Sequence, residues 1–184
     1  SKQEYFIRVD GDHIVYQGVL DLLRQAIVEE YDWLTGVVHD YVMDNFRGGT
    51  PQILSRKPLE ILANNPGLMP DHQKPESIYS SNIRSMCKMG DVRILTALHE
   101  YEQYPSKVCN SFLNRLYRNH LHLYRPDYLN SLPEHYKAAI SVAFEYFNSG
   151  SSKGSMDFKD FSFLDATFEP LESESTDDLY YQYA

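Results

Sequence analysis

A histidine is followed directly by an acidic residue at two places in this sequence, and both residue types are common ligands of catalytic metal ions. His99 and Glu100 begin the zinc-binding pattern H-E-x-x-H, but Gln103 takes the place of the second histidine. His120 and His122 would point about 200° apart on a helix, so the two rings cannot chelate one ion. There is no phosphate-binding glycine loop and no G-x-S-x-G nucleophile motif.

The other pair, His39 and Asp40, resembles the paired histidine and aspartate of the HD-type metal phosphohydrolases, which are all-helical enzymes. That resemblance implies an upstream histidine, for which His13 is the candidate, and a downstream aspartate, Asp91 or Asp127. If residues 13–46 form one helix, however, His13 and His39 lie roughly 39 Å apart. We therefore predict no metal, no cofactor and no enzymatic activity, and keep the HD-type phosphohydrolase as an alternative.

The elements that would position these side chains have the periodicity of helices. Apolar residues recur every three to four positions over residues 13–46, where Leu20, Ile27, Leu34 and Val38 share one face. Further helices are predicted over residues 55–63, 75–89, 91–104, 106–124 and 132–147. With a short extended arm over residues 4–9, the pattern predicts an all-α domain of about six helices.

Composition divides the chain into three parts. We predict a helical domain over residues 1–148, a glycine- and serine-rich linker over residues 149–156 and an acidic tail over residues 157–184. The tail has eight acidic residues and one basic residue, so it carries −7 of the formal net charge of −9. Large apolar and aromatic side chains alternate with these acids, which favours docking on a basic surface that has apolar pockets.

Two sets of residues are therefore predicted to bind partners. The tail set is Phe158, Phe161, Phe163, Phe168, Asp177, Asp178, Leu179, Tyr180 and Tyr181. The second set is a basic stripe on one face of the helix over residues 106–124 and just beyond it, formed by Arg115, Arg118, His122 and Arg125. Because the tether between them is short, we expect the tail to fold back onto the body, with the stripe as its docking surface.

Composition also limits the possible partners and the compartment. A net charge of −9 argues against direct nucleic-acid binding, and we find no membrane span and no signal peptide. Cys87 and Cys109 have no metal-binding spacing, and the sequence leaves open whether they form a disulfide. Both occupy apolar helical positions, so we favour buried free thiols and a cytoplasmic protein. The predicted function is that of a regulatory accessory, adaptor or inhibitor protein. Its partner would be a protein with a basic surface, such as a nucleic-acid-binding protein.

A structural role is the remaining alternative. Residues 7–12 (IRVDGD) before a long helix, and Leu132-Pro133-Glu134 before the last helix, are similar to segments of the small helical connector proteins of tailed-phage necks. That similarity implies a subunit of a larger assembly, such as a viral one. The sequence leaves the oligomeric state open.

Overall fold

The protein is an α/β protein, and the prediction of an all-α fold is wrong. The computed structural model describes residues 4–70, 75–101, 103–118, 125–150, 159–166 and 168. Within them the strands are β1 (Tyr5–Arg8), β2 (His13–Val15), β3 (Trp33–Asp40), β4 (Asn45–Ser55) and β5 (Met89–His99). The α-helices are α1 (Gly18–Val28), α2 (Arg56–Asn64), α3 (Pro75–Ile83), α4 (Pro105–Tyr117), α5 (Pro126–Leu129) and α6 (Glu134–Asn148). Single 3-10 turns lie at Pro66–Leu68 and Ser162–Asp165.

The strands form one mixed, curled sheet in the order β1-β4-β3-β5-β2. β1 is antiparallel to β4, with Tyr5 opposite Ser55. β3 and β5 run parallel, because the chain pairs Asp32 with Lys88 at one end and Tyr41 with His99 at the other, through N–H···O bonds of 2.8 and 2.9 Å. The carboxyl ends of β3 and β5 therefore lie at the same edge of the sheet.

The predicted long helix over residues 13–46 is instead β2, α1, β3 and the first residues of β4. β3 is the central strand and is buried on both faces, so its apolar residues do not alternate with polar ones. Leu34 and Val38 are fully buried there, but their spacing of four imitates a helix. Leu20 and Ile27, which were predicted to share their face, are 45% and 50% exposed on α1.

A second predicted helix, over residues 91–104, is β5 for most of its length. Other predictions are confirmed: the extended arm contains β1, and the last predicted helix is α6. Ser55 precedes α2, where its hydroxyl accepts a hydrogen bond from the Lys57 N–H at 3.3 Å. α3 ends at Ile83 and α4 at Tyr117, both earlier than predicted.

The described residues divide into two compact units, one drawn from residues 4–39 and 46–98 and the other from residues 40–45 and 99–168. In the first unit, α1 packs on one face of the sheet through Leu22 and Ala26, which join Leu34 and Ile53 in a buried cluster. The first residue of the helix, Gly18, has to be glycine, because a Cβ at that position would lie 2.0 Å from the Leu95 carbonyl oxygen.

The opposite face of the same sheet is covered at one end by α2 and α3. Trp33 and Leu54 of the sheet pack there against Tyr79 and Ile83 of α3. Strand alternation puts Trp33 and Leu34 on opposite faces, so the two clusters lie on either side of the sheet.

In the second unit, α4 and α6 form the core. Their buried apolar residues include Phe112 and Leu116 of α4 and Tyr136 and Ile140 of α6.

No described helix in either unit is long and apolar enough to cross a membrane. Most of the predicted linker, residues 151–158, falls outside the described residues.

Candidate interaction site

The first part of the acidic tail is held against α4 by hydrogen bonds to its backbone and side chains. The Asn110 side chain pairs in both directions with Lys159: its amide donates to the Lys159 carbonyl at 2.9 Å and its oxygen accepts from the Lys159 N–H at 2.8 Å. Asp165 accepts from the Ser106 backbone N–H at 2.8 Å and from the Ser106 hydroxyl at 2.6 Å. We call residues Lys159–Asp165 the anchor segment.

α4 needs this contact because its own sequence supplies no cap. Tyr104 is the residue before the helix and offers no side-chain hydrogen bond, and Pro105 has no N–H to be satisfied. The next N–H, that of Ser106, would have no helical partner. The Asp165 carboxylate satisfies it and places a negative charge at the positive end of the helix dipole.

Aromatic side chains of the tail divide into buried and exposed positions. Phe161 is 5% exposed and belongs to the core of the second unit, where its ring meets that of Tyr146 edge-on at 5.6 Å. Phe168 is half-buried against Tyr104, with ring centroids 5.5 Å apart. Phe163, in contrast, is 64% exposed. Of the three, only Phe163 presents most of its ring to a partner.

A buried cluster of charges lies on the same helix, further along. Arg115 Nη2 of α4 is 2.7 Å from Asp40 Oδ2 and 2.9 Å from Glu100 Oε2. His99 Nδ1 is 3.3 Å from the same Asp40 oxygen. Ser111, one turn before Arg115, donates a hydrogen bond to the other Glu100 oxygen. We call these five residues the buried ion network.

The carboxyl ends of two parallel strands explain why these groups meet. Asp40 is the last residue of β3, His99 is the last residue of β5, and Glu100 follows it. The Tyr41 N–H donates to the His99 carbonyl, which fixes the two strand ends together. Glu100 adopts a left-handed conformation with φ 63°, which costs a non-glycine residue energy that the surrounding contacts must offset.

Asp40, His99 and Glu100 offer three donor atoms within 4.8 Å of one another, a set of nitrogen and oxygen ligands that suits a divalent cation. The Arg115 guanidinium, however, contacts both carboxylates and already supplies the positive charge between them. All four side chains are at most 14% exposed. We therefore interpret the cluster as an internal ion-pair network that joins α4 to the strand ends, and not as a metal centre.

The remaining residues of the predicted sites are dispersed. Arg125 pairs with Asp44, and Arg118 is a half-exposed residue at the end of α4. Arg115 does not belong to an exposed stripe, because it lies inside the buried ion network. In the second unit, the anchor segment makes its hydrogen bonds to α4 through Ser106 and Asn110. Among the predicted residues, His122, Phe158, Asp177, Asp178, Leu179, Tyr180 and Tyr181 fall outside the described residues.

The His-Asp pair does not form the arrangement that an HD-type enzyme uses. His39 and Asp40 are neighbours on a strand, so their side chains point to opposite faces. The His39 ring stacks on Phe46, with centroids 4.6 Å apart and planes 13° from parallel. His13 lies in β2, Asp91 in β5 and Asp127 in α5.

Neither histidine–acid pair, taken alone, predicts the buried ion network. Both pairs follow a similar run of apolar and β-branched residues, residues 33–38 (WLTGVV) and 94–98 (ILTAL). Two such runs, each ending in a histidine and an acid, are typical of neighbouring parallel strands whose ends carry polar groups. The similarity of the two runs is therefore the sequence signal that could have predicted the buried ion network.

Both cysteines are buried free thiols, as predicted. Burial raises the pKa of the Cys109 thiol to about 12 and also raises the pKa of Cys87. A thiol with a raised pKa is a poor nucleophile near neutral pH, because the thiolate is the reactive form. Neither cysteine is therefore a candidate catalytic residue.

No protein-family model, no curated protein and no solved structure matches this chain. The functional assignment therefore depends on the geometry and chemistry of the residues described above.

Proposed function

We propose that this protein is a non-catalytic accessory protein that binds another protein through its acidic, aromatic C-terminal tail. The observation that supports this proposal is the anchor segment, which fixes the start of the tail on α4 through Ser106 and Asn110. The sequence beyond Phe168 contains five acidic residues and no basic residue, together with two leucines and three tyrosines. A basic protein surface with apolar pockets is the complementary partner.

We assign different roles to different residues of the tail. Phe161 serves as an intramolecular anchor, since it is buried in the protein's own core. Phe163 and the residues after Phe168 are the ones proposed to contact the partner. Anchoring the first residues reduces the length of chain that must be ordered on binding, which lowers the entropic cost of association.

The experiment that tests this proposal is affinity capture from the native host with three immobilised forms of the protein. These are the full chain, a truncation that ends at Phe168, and an Asp177→Asn, Asp178→Asn variant. We expect the full chain to capture a protein with a basic surface, the truncation to lose it, and the charge-neutralised form to bind more weakly. Raising the salt concentration should weaken capture by the full chain.

A matched control removes the same amount of charge elsewhere. Asp21→Asn with Glu60→Gln neutralises two exposed carboxylates of the first unit, whose side chains are 58% and 61% exposed. Capture should be unchanged in this variant. If a folded truncation captures the same protein as efficiently as the full chain, the tail is not the binding element.

Two measurements separate the proposed accessory protein from the two alternatives, a structural subunit and a metal phosphohydrolase. Light scattering on the purified chain would reveal a symmetric oligomer, which favours a structural subunit over an accessory protein. Elemental analysis would reveal a stoichiometric metal ion, and its loss in a His39→Ala or Asp40→Asn variant would favour a metal phosphohydrolase. We expect a protein without stoichiometric metal, because Arg115 contacts both carboxylates of the donor set.

A further inference from the structure

One face of the sheet in the first unit carries an open groove. Its cavity of about 410 Å³ is lined by Val37, Phe46, Arg47, Gly48, Arg93 and Leu95. Strand alternation places Val37, Phe46, Gly48, Arg93 and Leu95 on the face away from α1, beyond the end that α2 and α3 cover. The Arg47 side chain points to the opposite face, where its Nη1 atom lies 3.2 Å from the position that a Cβ on Gly49 would occupy. Gly48 also lines an adjoining cleft of about 250 Å³ that reaches Arg84 and Asp91. The groove volume of about 410 Å³ is in the range of small-molecule sites, roughly 300–1,000 Å³.

Gly48 is a glycine that packing does not require. A Cβ at this position would meet only the Thr35 Cγ2 atom at 3.7 Å, which is an ordinary contact. By contrast, a Cβ at Gly18 or Gly36 would lie within 2.5 Å of neighbouring atoms. The missing side chain of Gly48 therefore keeps the floor of the groove open and has no evident role in folding. Glycines inside strands commonly mark places where a ligand approaches the backbone closely.

Phe46 forms a flat apolar surface at the end of the groove. Its ring is stacked on His39 on one side and is 55% exposed. Stacking on a buried histidine holds the ring in one orientation, so the exposed side can receive a second planar ring. An exposed aromatic ring of this kind accepts any nucleobase, because every base has a π-face.

Arg93 gives the groove its charge. Its side chain is exposed, and no acidic residue among the described ones lines this cavity. Arg93 takes part in no ion pair with another described residue. Guanidinium groups match the geometry of phosphate oxygens and bind them with paired hydrogen bonds. An aromatic ring beside an exposed arginine is therefore complementary to a ligand that joins a planar ring to a phosphate.

We propose that this groove binds a nucleoside phosphate. The base stacks on Phe46, the sugar lies over Gly48, and Arg93 holds the phosphate. The groove uses residues of the first unit only, so this site is independent of the protein-binding role proposed for the tail.

The test is titration calorimetry on the full chain with AMP, GMP, CMP and UMP, together with NMR shift mapping. We expect at least one nucleotide to bind and to shift the Phe46, Gly48 and Arg93 signals. Arg93→Gln and Phe46→Ala should each weaken binding at least about tenfold. Gly48→Val should do the same by filling the groove, and Gly48→Ala provides a milder variant if the valine form does not fold.

Matched controls are Arg56→Gln, which removes an exposed arginine outside the groove, and Gly67→Ala, where a Cβ meets no atom within 4 Å. Both should leave the affinity within about twofold of the unmodified chain. Absence of binding by every nucleotide at millimolar concentration overturns the proposal, as does binding that Arg93→Gln and Gly48→Ala leave unchanged.

Two further probes test the identity of the ligand. Inorganic phosphate that binds as tightly as the nucleotides would show that Phe46 contributes nothing, which overturns the nucleoside assignment. A synthetic peptide with the sequence of residues 169–184 offers rings and carboxylates instead of a base and a phosphate. If that peptide shifts the groove signals and no nucleotide does, the groove is a peptide site and the proposal is wrong.

Discussion

Asp165 caps α4 through two hydrogen bonds from Ser106, which lies 59 residues earlier in the chain. The carboxylate satisfies the first available N–H of α4, which the residues before the helix leave without a side-chain partner. The contact joins the start of the acidic tail to the helix that also carries Arg115 of the buried ion network. α4 therefore connects the two features of the second unit.

Replacing Asp165 with alanine should lower the free energy of unfolding by about 0.5–2 kcal/mol, the usual cost of losing an N-terminal helix cap. The amide protons of the first turn of α4 should exchange faster, because Ser106 loses its acceptor. Hydrogen exchange and urea denaturation measure the two effects. Glu145→Ala, which removes an exposed carboxylate from α6, is the control and should change neither quantity. Equal effects of the two variants would mean that Asp165 does not cap the helix.

Replacing Arg115 with alanine should be strongly destabilising. It leaves the buried carboxylates of Asp40 and Glu100 without their cation, and breaking a buried ion pair on one side costs about 3–5 kcal/mol. Arg118→Ala, three residues later and half-exposed, should cost less than about 0.5 kcal/mol. Urea denaturation at neutral pH compares the two variants. A similar small loss in both would show that Arg115 is not part of a buried network.

Two leucine-to-alanine variants test the positions of β3 and α1. Leu34 is fully buried in β3, so Leu34→Ala should cost about 2–5 kcal/mol. Leu20 on α1 is 45% exposed, and Leu20→Ala should cost less than about 1 kcal/mol. Thermal or urea denaturation of both forms checks the difference. Equal losses would support the long helix predicted from periodicity and contradict the sheet.

Asp32 should contribute stability that disappears in acid. Although burial opposes ionisation, the Lys88 N–H, Lys57 and Ser55 hold the pKa of Asp32 below its usual value. A lowered pKa means that the unfolded chain binds the proton more readily. The contribution of Asp32 to the free energy of unfolding is therefore complete above roughly pH 5, and it is lost as the pH falls through the lowered pKa.

Asp32→Asn should lower the unfolding free energy at pH 7 by about 1–3 kcal/mol, the usual effect of an impaired buried hydrogen-bond group. The difference from the unmodified chain should shrink as the pH falls below 4, and urea titrations over this range measure it. Asp21→Asn, on an exposed carboxylate, should show no such pH dependence. A difference that stays constant with pH would show that ionised Asp32 is not stabilising.

The parts of the fold that the sequence predicted are those whose structure depends on local signals. α4 and α6 bury one face against each other, so their apolar residues follow the helical period. Ser55 marks the start of α2 because capping is a contact between residues close in sequence. The burial of both cysteines also followed from the apolar residues around them.

β3 and β5 could not be identified from periodicity, because their burial comes from neighbours that are distant in sequence. β3 lies between β4 and β5, and α1 packs against Leu34 on one face while α3 packs against Trp33 on the other. A strand covered on both faces loses the alternation that identifies strands in a sequence. Leu34 and Val38 then have a helical spacing by coincidence.

The sequence by itself determined the composition of the tail, the helices α4 and α6 of the second unit and the absence of a complete local metal or nucleotide motif. These properties depend on residue types and short spacings. Only the tertiary structure decided that Arg115 is buried between Asp40 and Glu100, that Asp165 caps α4, and that Phe46 and Arg93 share one groove. Each of these contacts joins residues at least 15 positions apart, and their proximity depends on how strands and helices pair, which residue type and local spacing do not specify.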